Sequence, residues 1–411
     1  MEPRETVHHR TRRIPVAVMK TVKDLDVKGK KVLVRVDYNV PMDKGVVKDD
    51  SRVRASLPTI NFLVGQGARI ILISHMGRPK GAPNPKYTLA PVAQHLSQIL
   101  KKPVAFAPDC VGEVATQAVN ALKNGEILLL ENLRYHAEEE KNDPAFAKAL
   151  AGLADVFVQD AFGAVHRAHA STSGVPALLP SGAGFLLVKE LEFLGRIKEA
   201  PAKPFVAIVG GAKVSDKIEV LEKLIDKVDT LAIGGAMAYT FLKSQGVSTG
   251  KSLVEADKVD VARDLLLKAK SKGVSVILPL DHLVVKTLED VAGAHVTEGT
   301  AISDDELGVD IGPKTIESLR GPLLASRTIF WNGPMGIFET DRYAEGTRAV
   351  ARLSAEAAGK GSVVVVGGGD SVAAVQTTGL ADKITHLSTG GGASLEFLEG
   401  KELPGVTALQ K

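Results

Sequence analysis

The stretch FVAIVGGAKVSDK, residues 205–217, decides how the chain is read. Phe205–Val209 is apolar throughout and rich in β-branched residues. Such a run fits a strand buried on both faces, as in a parallel sheet covered by helices. Gly210-Gly211 interrupts it, and helical spacing follows over Ser215–Leu224. Strand, glycine turn and helix make one βα unit. The pattern recurs in both directions. Further strands are expected near Lys31–Val36, Ala68–Ile73, Pro103–Ala107, Glu126–Leu130 and Asp155–Val158, and near Thr230–Ile233, Val274–Leu278, Thr328–Trp331, Ser362–Val366 and Lys383–Leu387. Helices are expected over Pro91–Lys101, Pro144–Ala151, Ala256–Lys272 and Tyr343–Ala358. Alternation this long argues an α/β fold. At the midpoint, Leu187, Val188, Leu191, Leu194 and Ile197 share one helical face, and Pro201 and Pro204 end it. The expectation is two doubly wound parallel-sheet, Rossmann-like domains at 1–186 and 201–403, joined by a linker helix at 187–200. Residues 1–18 are read as a disordered extension.

Composition narrows the function. At 411 residues, two or three domains are expected. The charge is +3, and four Arg against two Glu in the first eighteen residues supply two of those three charges. A body this near neutrality does not bind nucleic acid through bulk charge. The single cysteine, Cys110, excludes an internal disulfide and a Cys-based metal site. The longest uncharged stretch, Ala170–Val188, contains Pro176, Pro180 and several Ser and Gly residues, and is read as a loop leading into a helix rather than as a membrane span. Without an export signal, and with one Cys, a cytoplasmic location is expected.

In open α/β sheets, ligands bind beyond the carboxyl ends of the strands. In the first half those ends carry Asp37-Tyr38-Asn39, Ser74-His75-Met76-Gly77-Arg78, Glu131-Asn132-Leu133-Arg134 and Asp160 to Arg167, with Arg52 and Arg54 after the first strand. Arginine suits bidentate binding of carboxylate and phosphate, so this rim reads as a pocket for a small, multiply anionic ligand. In the second half, glycines occupy the same places: Gly210-Gly211-Ala212-Lys213, Gly234-Gly235-Ala236, Asn332-Gly333-Pro334, Gly367-Gly368-Gly369-Asp370-Ser371 and Gly390-Gly391-Gly392. Glycine loops and helix N-termini accommodate phosphates, and five of them in one domain read as a nucleotide site.

Some motifs are set aside. Gly246–Ser252 resembles a P-loop, but Gln245 replaces the required glycine and no strand precedes it. His166 and His169 lack a third zinc ligand. Arg35 sits inside a strand and is read as a buried or edge ion pair. A dinucleotide-dependent dehydrogenase would need G-x-G-x-x-G after a strand, which is absent. A hinged solute-binding protein would not need Lys213 together with Asp370. One domain for an anion and one for a nucleotide suit phosphoryl transfer, whose catalysis is positioning and charge neutralisation. Lys213 and Lys217 would supply cations, and Asp370 the Mg²⁺ carboxylate.

From about Val22 to Leu409 the chain resembles the phosphoglycerate kinase family. The matching stretches are Arg35-Val-Asp-Tyr-Asn-Val-Pro41, Ser74-His-Met-Gly-Arg-Pro79, Leu130-Glu-Asn-Leu-Arg134, Asp160-Ala-Phe-Gly163 with His166-Arg-Ala-His169, Gly210-Gly-Ala-Lys213, Trp331-Asn-Gly-Pro334 with Gly336 and Glu339, Gly367-Gly-Gly-Asp370 and Ser388-Thr-Gly-Gly-Gly-Ala-Ser394. The resemblance implies Mg²⁺- and ATP-dependent phosphoryl exchange between 3-phosphoglycerate and 1,3-bisphosphoglycerate, with hinge-bending closure. It implies Asp37, Asn39, Arg52, His75, Arg78, Arg134 and Arg167 around the phosphoglycerate. It implies Gly211, Ala212, Lys217, Gly235, Gly308, Asn332, Glu339, Gly368, Gly369, Asp370 and Ser371 around the nucleotide, with Glu339 on the ribose and Asp370 on the metal. Arg52, Lys213, Gly369 and Gly392 are the expected catalytic set. It also implies that 404–411 packs back on the first domain and that the enzyme is a monomer. Tyr38 and Met76 stand where the family more often has Phe and Leu, at positions that need no polar chemistry.

Overall fold

The computed structural model describes residues 19–410, and the extension expected at 1–18 lies outside them. The chain divides within one helix into two compact units: the described residues up to Gly195 together with those from Pro404, and Arg196–Leu403.

The strands of the first unit are β1 (Lys31–Arg35), β2 (Met42–Asp43), β3 (Val46–Val47), β4 (Arg69–Ile73), β5 (Val104–Ala107), β6 (Ile127–Leu130), β7 (Val156–Gln159) and β8 (Ser181–Ala183). Its helices are α1 (Ser51–Gly65), α2 (Ala90–Leu100), α3 (Gly112–Ala121), α4 (Ala137–Glu140), α5 (Pro144–Ala151) and α6 (Phe185–Glu199), the last running past the division. Six strands form a parallel sheet in the order β5-β6-β4-β1-β7-β8, and β2 and β3 form a separate hairpin. Alternate residues of each strand point to opposite faces. Val32, Val34, Ile70, Leu72 and Leu129 therefore join Ile60, Leu63, Val92 and Leu96 in one core layer. Leu33, Ile71, Leu128, Leu130 and Phe157 join Ala115, Val119, Phe146 and Leu150 in the other.

The second unit contains β9 (Phe205–Val209), β10 (Thr230–Ile233), β11 (Ser275–Ile277), β12 (His282–Val285), β13 (His295–Val296), β14 (Leu307–Ile311), β15 (Thr328–Asn332), β16 (Val363–Gly367) and β17 (His386–Leu387). Its helices are α7 (Ile218–Ile225), α8 (Met237–Ser244), α9 (Val259–Ser271), α10 (Pro313–Ala325), α11 (Glu345–Gly359), α12 (Gly369–Thr377) and α13 (Gly392–Glu399). α14 (Pro404–Thr407) belongs to the first unit, where the Gly405 N–H donates to Val165 O at 2.9 Å. The sheet order is β11-β10-β9-β15-β16-β17, all parallel. Numbered within the sheet this is 3-2-1-4-5-6, the dinucleotide-fold order, with its crevice at the β9/β15 switch point. In the first unit the chain reverses between β1 and β7.

Local differences from the sequence reading have physical causes. Ala170–Val188 is more than a loop: Ser181–Ala183 adds β8 to the sheet edge, where Gly182 lies against the backbone of Lys20 and Thr21. The helix expected from Ser215 starts at Ile218, because the Glu255 carboxylate takes the Val214 and Ser215 N–H groups at 2.5 and 3.1 Å and holds that segment as a turn. The antiparallel sheet β13-β12-β14 was not expected. Its β13 is two residues long and exposed, too short to register as a pattern. α6 begins beside Asp160, whose Oδ1 accepts the Leu186 and Leu187 N–H groups at 2.9 and 3.2 Å. Among the described residues, no helix is long and apolar enough to cross a membrane.

Candidate active site

In the first unit the rim is assembled at the ends of β1, β4, β6 and β7. Asp37 is nearly buried, with its carboxylate 3.3 Å from the Arg52 guanidinium. Arg52, in the first turn of α1, also donates to Asn39 O at 2.9 Å. Asn39 Oδ1 accepts the Gly77 N–H at 2.9 Å, and Gly77 O accepts from Arg134 Nη1 at 2.9 Å. One chain of contacts thus joins Asp37, Asn39, Arg52 and Arg134. His75 lies at the end of β4 with Arg35 Nη2 3.1 Å from its Nδ1. Arg167 follows β7 and donates through Nε to His166 Nε2 at 3.2 Å. Arg78 is exposed and makes no hydrogen bond or ion pair with this set among the described residues. Among the described residues Arg35 makes no direct ion pair: it is buried and bonded to Ser171, Val36 O and His75.

Positive charge is in excess here, and its neighbours register it. Burial, reinforced by Arg35, Arg134 and Arg52, holds His75 well below the usual imidazole range. Burial and the fields of Arg134, Arg35 and Arg167 push His169 down to about 3. Burial and Arg167 lower His166. Burial lowers Arg134 itself, with Arg35 and Arg167 acting the same way and Glu140 opposing. Three neutral imidazoles among four guanidinium groups leave a cationic field that a phosphate or carboxylate would neutralise. Among the described residues, His166 and His169 belong to no group of three potential metal ligands. The described cluster of three potential ligands is elsewhere, at Asp109, Cys110 and His136. There burial keeps the Cys110 thiol protonated, and Asp109 is bonded to His136 Nε2 at 2.8 Å.

In the second unit the strand-end glycines line a cavity of about 430 Å³. Gly211, Ala212, Gly235, Gly308, Glu339 and Asp370 are on its wall, with Tyr239, Leu253, Leu288, Leu307 and Met335. Gly210 N–H donates to Asn332 O at 2.9 Å, which ties the two loops of the switch point together. Gly368 caps α12 with φ of +91°, a conformation open to glycine. No side chain caps α12 or α13, so the N–H groups of α12 beginning at Gly369 and the N–H of Gly392 are turned toward solvent or ligand, while the Ala393 N–H already donates to Gly390 O at 3.0 Å. Asn332 Nδ2 is buried without a partner, and a Cβ on Gly368 would sit 3.1 Å from it. An orphan donor beside uncapped amides suits an anionic oxygen. Lys217 Nζ is bonded to Asn332 Oδ1, and burial lowers its pKa against the pull of Asp216 and Asp370. Lys213 is exposed, with no hydrogen bond or ion pair among the described residues. Ser371 is buried and accepts the Gly333 N–H at 2.6 Å, which orders the loop after β15. The P-loop-like Gly246–Ser252 has a structural bond to the cavity. Ser252 Oγ accepts the Gly308 N–H at 2.9 Å and fixes the cavity wall.

Residues 22–401 match the family model described as phosphoglycerate kinase. The chain belongs to the phosphoglycerate kinase family. The curated phosphoglycerate kinase of Chlorobium phaeobacteroides is 55% identical over 392 residues, covering 95% of this chain and 99% of the relative. That of Moorella thermoacetica is 57% identical over 389 residues, covering 95% and 98%. The solved phosphoglycerate kinase structure from Coxiella burnetii is 42% identical with a TM-score of 0.83, and that from Pyrococcus horikoshii is 34% identical with a TM-score of 0.86. Each covers 95% of this chain and 98% of the other. The match spans both units and all the strand-end loops described above.

Sequence reasoning missed the apolar walls of the cavity. Leu253, Leu288 and Leu307 lie on or near the unexpected antiparallel sheet, and Tyr239 lies on α8. Leu253 and Leu288 are about half exposed, at 52% and 49%. It also missed Glu139 and Ser171, which are fully buried behind the arginine rim.

Proposed function

We propose that the chain catalyses reversible, Mg²⁺-dependent phosphoryl transfer between ATP or ADP and the 3-phosphoglycerate/1,3-bisphosphoglycerate pair, in glycolysis, gluconeogenesis or carbon fixation. The observation that carries this reading is the convergence of Arg35, Arg52, Arg134 and Arg167 at the strand ends of the first unit, where burial and the guanidinium fields hold His75 and His169 well below the usual imidazole range. Membership of the family supports the same reaction.

In this reading Arg134, Arg167, Arg78 and His75 hold the phosphate of phosphoglycerate, while Asp37 and Asn39 receive its hydroxyl and carboxyl end. The acceptor is a carboxylate, which carries no proton to remove, so the step needs cations and donors rather than a general base. Arg52 and Lys213 neutralise charge on the transferring group. The N–H groups at Gly369 and Gly392 bond its equatorial oxygens. Gly211, Ala212, Gly235 and Gly308 admit the flat base, Glu339 holds the ribose, and Lys217, Asn332, Gly368 and Ser371 order the phosphate end. Asp370, an exposed carboxylate in the first turn of α12, fits Mg²⁺, which keeps most of its shell for water and phosphate. When bound, Mg²⁺ screens the nucleotide phosphates.

In-line transfer needs reacting atoms within about 3–3.5 Å. Hinge-bending closure that excludes water belongs to the same proposal, as do a monomeric state and a cytoplasmic location. Small-angle scattering should give a smaller radius of gyration with both substrates than with either alone, and an unchanged radius would contradict closure. The site assignment itself is tested by calorimetry. Mg-ADP and 3-phosphoglycerate should each bind, and NAD should not. Binding of NAD in place of Mg-ADP would overturn it.

A further inference from the structure

Behind the arginine rim, a buried chain of hydrogen bonds has only one arrangement of protons. Arg35 Nη2 faces His75 Nδ1 at 3.1 Å. A guanidinium has five donors and no acceptor, so Nδ1 must offer its lone pair. The ring is then neutral and its proton sits on Nε2. That nitrogen has no hydrogen-bond partner among the described residues.

Arg35 is itself fixed. Its Nη1 donates to Val36 O, and its Nε donates to Ser171 Oγ at 2.9 Å. Ser171 spends its hydroxyl proton on Glu139 Oε1 at 2.5 Å and its N–H on Glu139 Oε2 at 3.0 Å. Glu139 and Ser171 are fully buried, and Arg35 is 1% exposed. The Ser171 hydroxyl hydrogen and one hydrogen on each Arg35 nitrogen have assigned acceptors, so the order Glu139, Ser171, Arg35, His75 cannot be reversed without setting donor against donor.

We infer that Glu139, Ser171 and Arg35 are positioning residues that lock His75 as its Nε2–H tautomer, a fixed neutral donor toward an oxygen of the bound phosphoglycerate. This rests on the substrate reading given under the proposed function. The charged groups that face His75 agree with it: Arg35 from β1, Arg52 from α1 and Arg134 after β6 all oppose a second proton, and His169 adds no negative charge. A neutral donor makes phosphoglycerate binding independent of proton uptake across the range where an ordinary histidine titrates.

Ring-¹⁵N-labelled histidine in the full chain tests this, with two-bond ¹H–¹⁵N spectra from about pH 8 to about pH 6 and His75 assigned by its loss in His75→Gln. The expected result is a neutral ring protonated on Nε2 that does not titrate in this range, although an ordinary imidazole would be mostly charged at about pH 6. A ring protonated on Nδ1, or one that titrates near 6.5, would overturn the inference. Glu139→Gln and Ser171→Ala should each mix the tautomers and raise KM for 3-phosphoglycerate about fivefold, with kcat within about twofold, as for the loss of one aligned hydrogen bond. Folded variants with an unmixed Nε2–H spectrum would show that the chain does not set the tautomer. If either variant fails to fold, the wild-type spectrum still decides. Absence of turnover in the wild type would sink the proposed function alone, because the spectrum reads the tautomer without substrate.

Discussion

Tyr239 and Gly308 share one wall of the second unit's cavity so closely that a Cβ on Gly308 would collide with the Tyr239 hydroxyl. Tyr239 is buried at the start of α8 and cannot retreat into the packed layer behind it. Gly308→Ala should push the ring into the cavity. The expected outcome is a KM for ATP or ADP raised about tenfold, roughly 1.4 kcal/mol, with kcat much less affected. Unchanged nucleotide affinity by calorimetry would remove the cavity from the nucleotide site.

The two ends of the arginine rim should differ in kinetics. Arg134 is tied to Gly77 O and sits among buried groups, whereas Arg52 lies in the first turn of α1 beside Asp37. Arg134→Ala should mainly raise KM for 3-phosphoglycerate, and Arg52→Ala should mainly lower kcat. Identical effects of the two substitutions would show that the rim does not divide its labour.

These contrasts follow how the chain encodes its site. Phe205–Val209, Thr328–Trp331 and Ser362–Val366 announce buried parallel strands because an apolar run long enough for a sheet interior is visible locally. The residues at their carboxyl ends could be gathered by the strand-end rule without knowing the sheet order. The walls of the cavity could not. Leu253, Leu288 and Tyr239 look like ordinary apolar residues until the antiparallel sheet and α8 bring them around Gly308. Glu139 was equally hidden. It sits in an acidic run, Glu138-Glu139-Glu140, that reads as a solvated face, and only the fold turns the middle carboxylate inward to Ser171. Arg35 was read as an ion pair because a buried cation in a strand needs compensation. The compensation comes from Glu139 through a serine, which no spacing rule reveals.

Stability should carry the signature of buried carboxyls. Burial pushes Asp160 up to about 7, against the pull of Thr59 and the two amides at the start of α6. Its ordinary value is 3.8, so between about pH 4 and about pH 7 the folded chain holds a proton that the unfolded chain has lost. Unfolding free energy should therefore fall as pH rises through this window, by at most a few kcal/mol. Asp310 is likewise pushed up to about 7 by burial and adds to the slope in the second unit. Asp160→Asn keeps one oxygen for the Leu186 and Leu187 N–H groups, so it should flatten the first unit's share of this dependence. Denaturant unfolding of wild type and variant at about pH 5 and about pH 8 measures it. Parallel curves for the two proteins would mean that Asp160 is ionised throughout.

The central claim is direct transfer between the two substrates, with Lys213 at the moving group. The most direct measurement is ATP formation from Mg-ADP and 1,3-bisphosphoglycerate generated in place, run beside Lys213→Ala. The expected result is one ATP for each bisphosphoglycerate consumed by the wild type. In the variant, kcat should be lower by far more than threefold, while KM for the nucleotide changes little. Bisphosphoglycerate consumed without ATP appearing, or a variant within about threefold of wild type, less than ~1 kcal/mol of barrier, would contradict it.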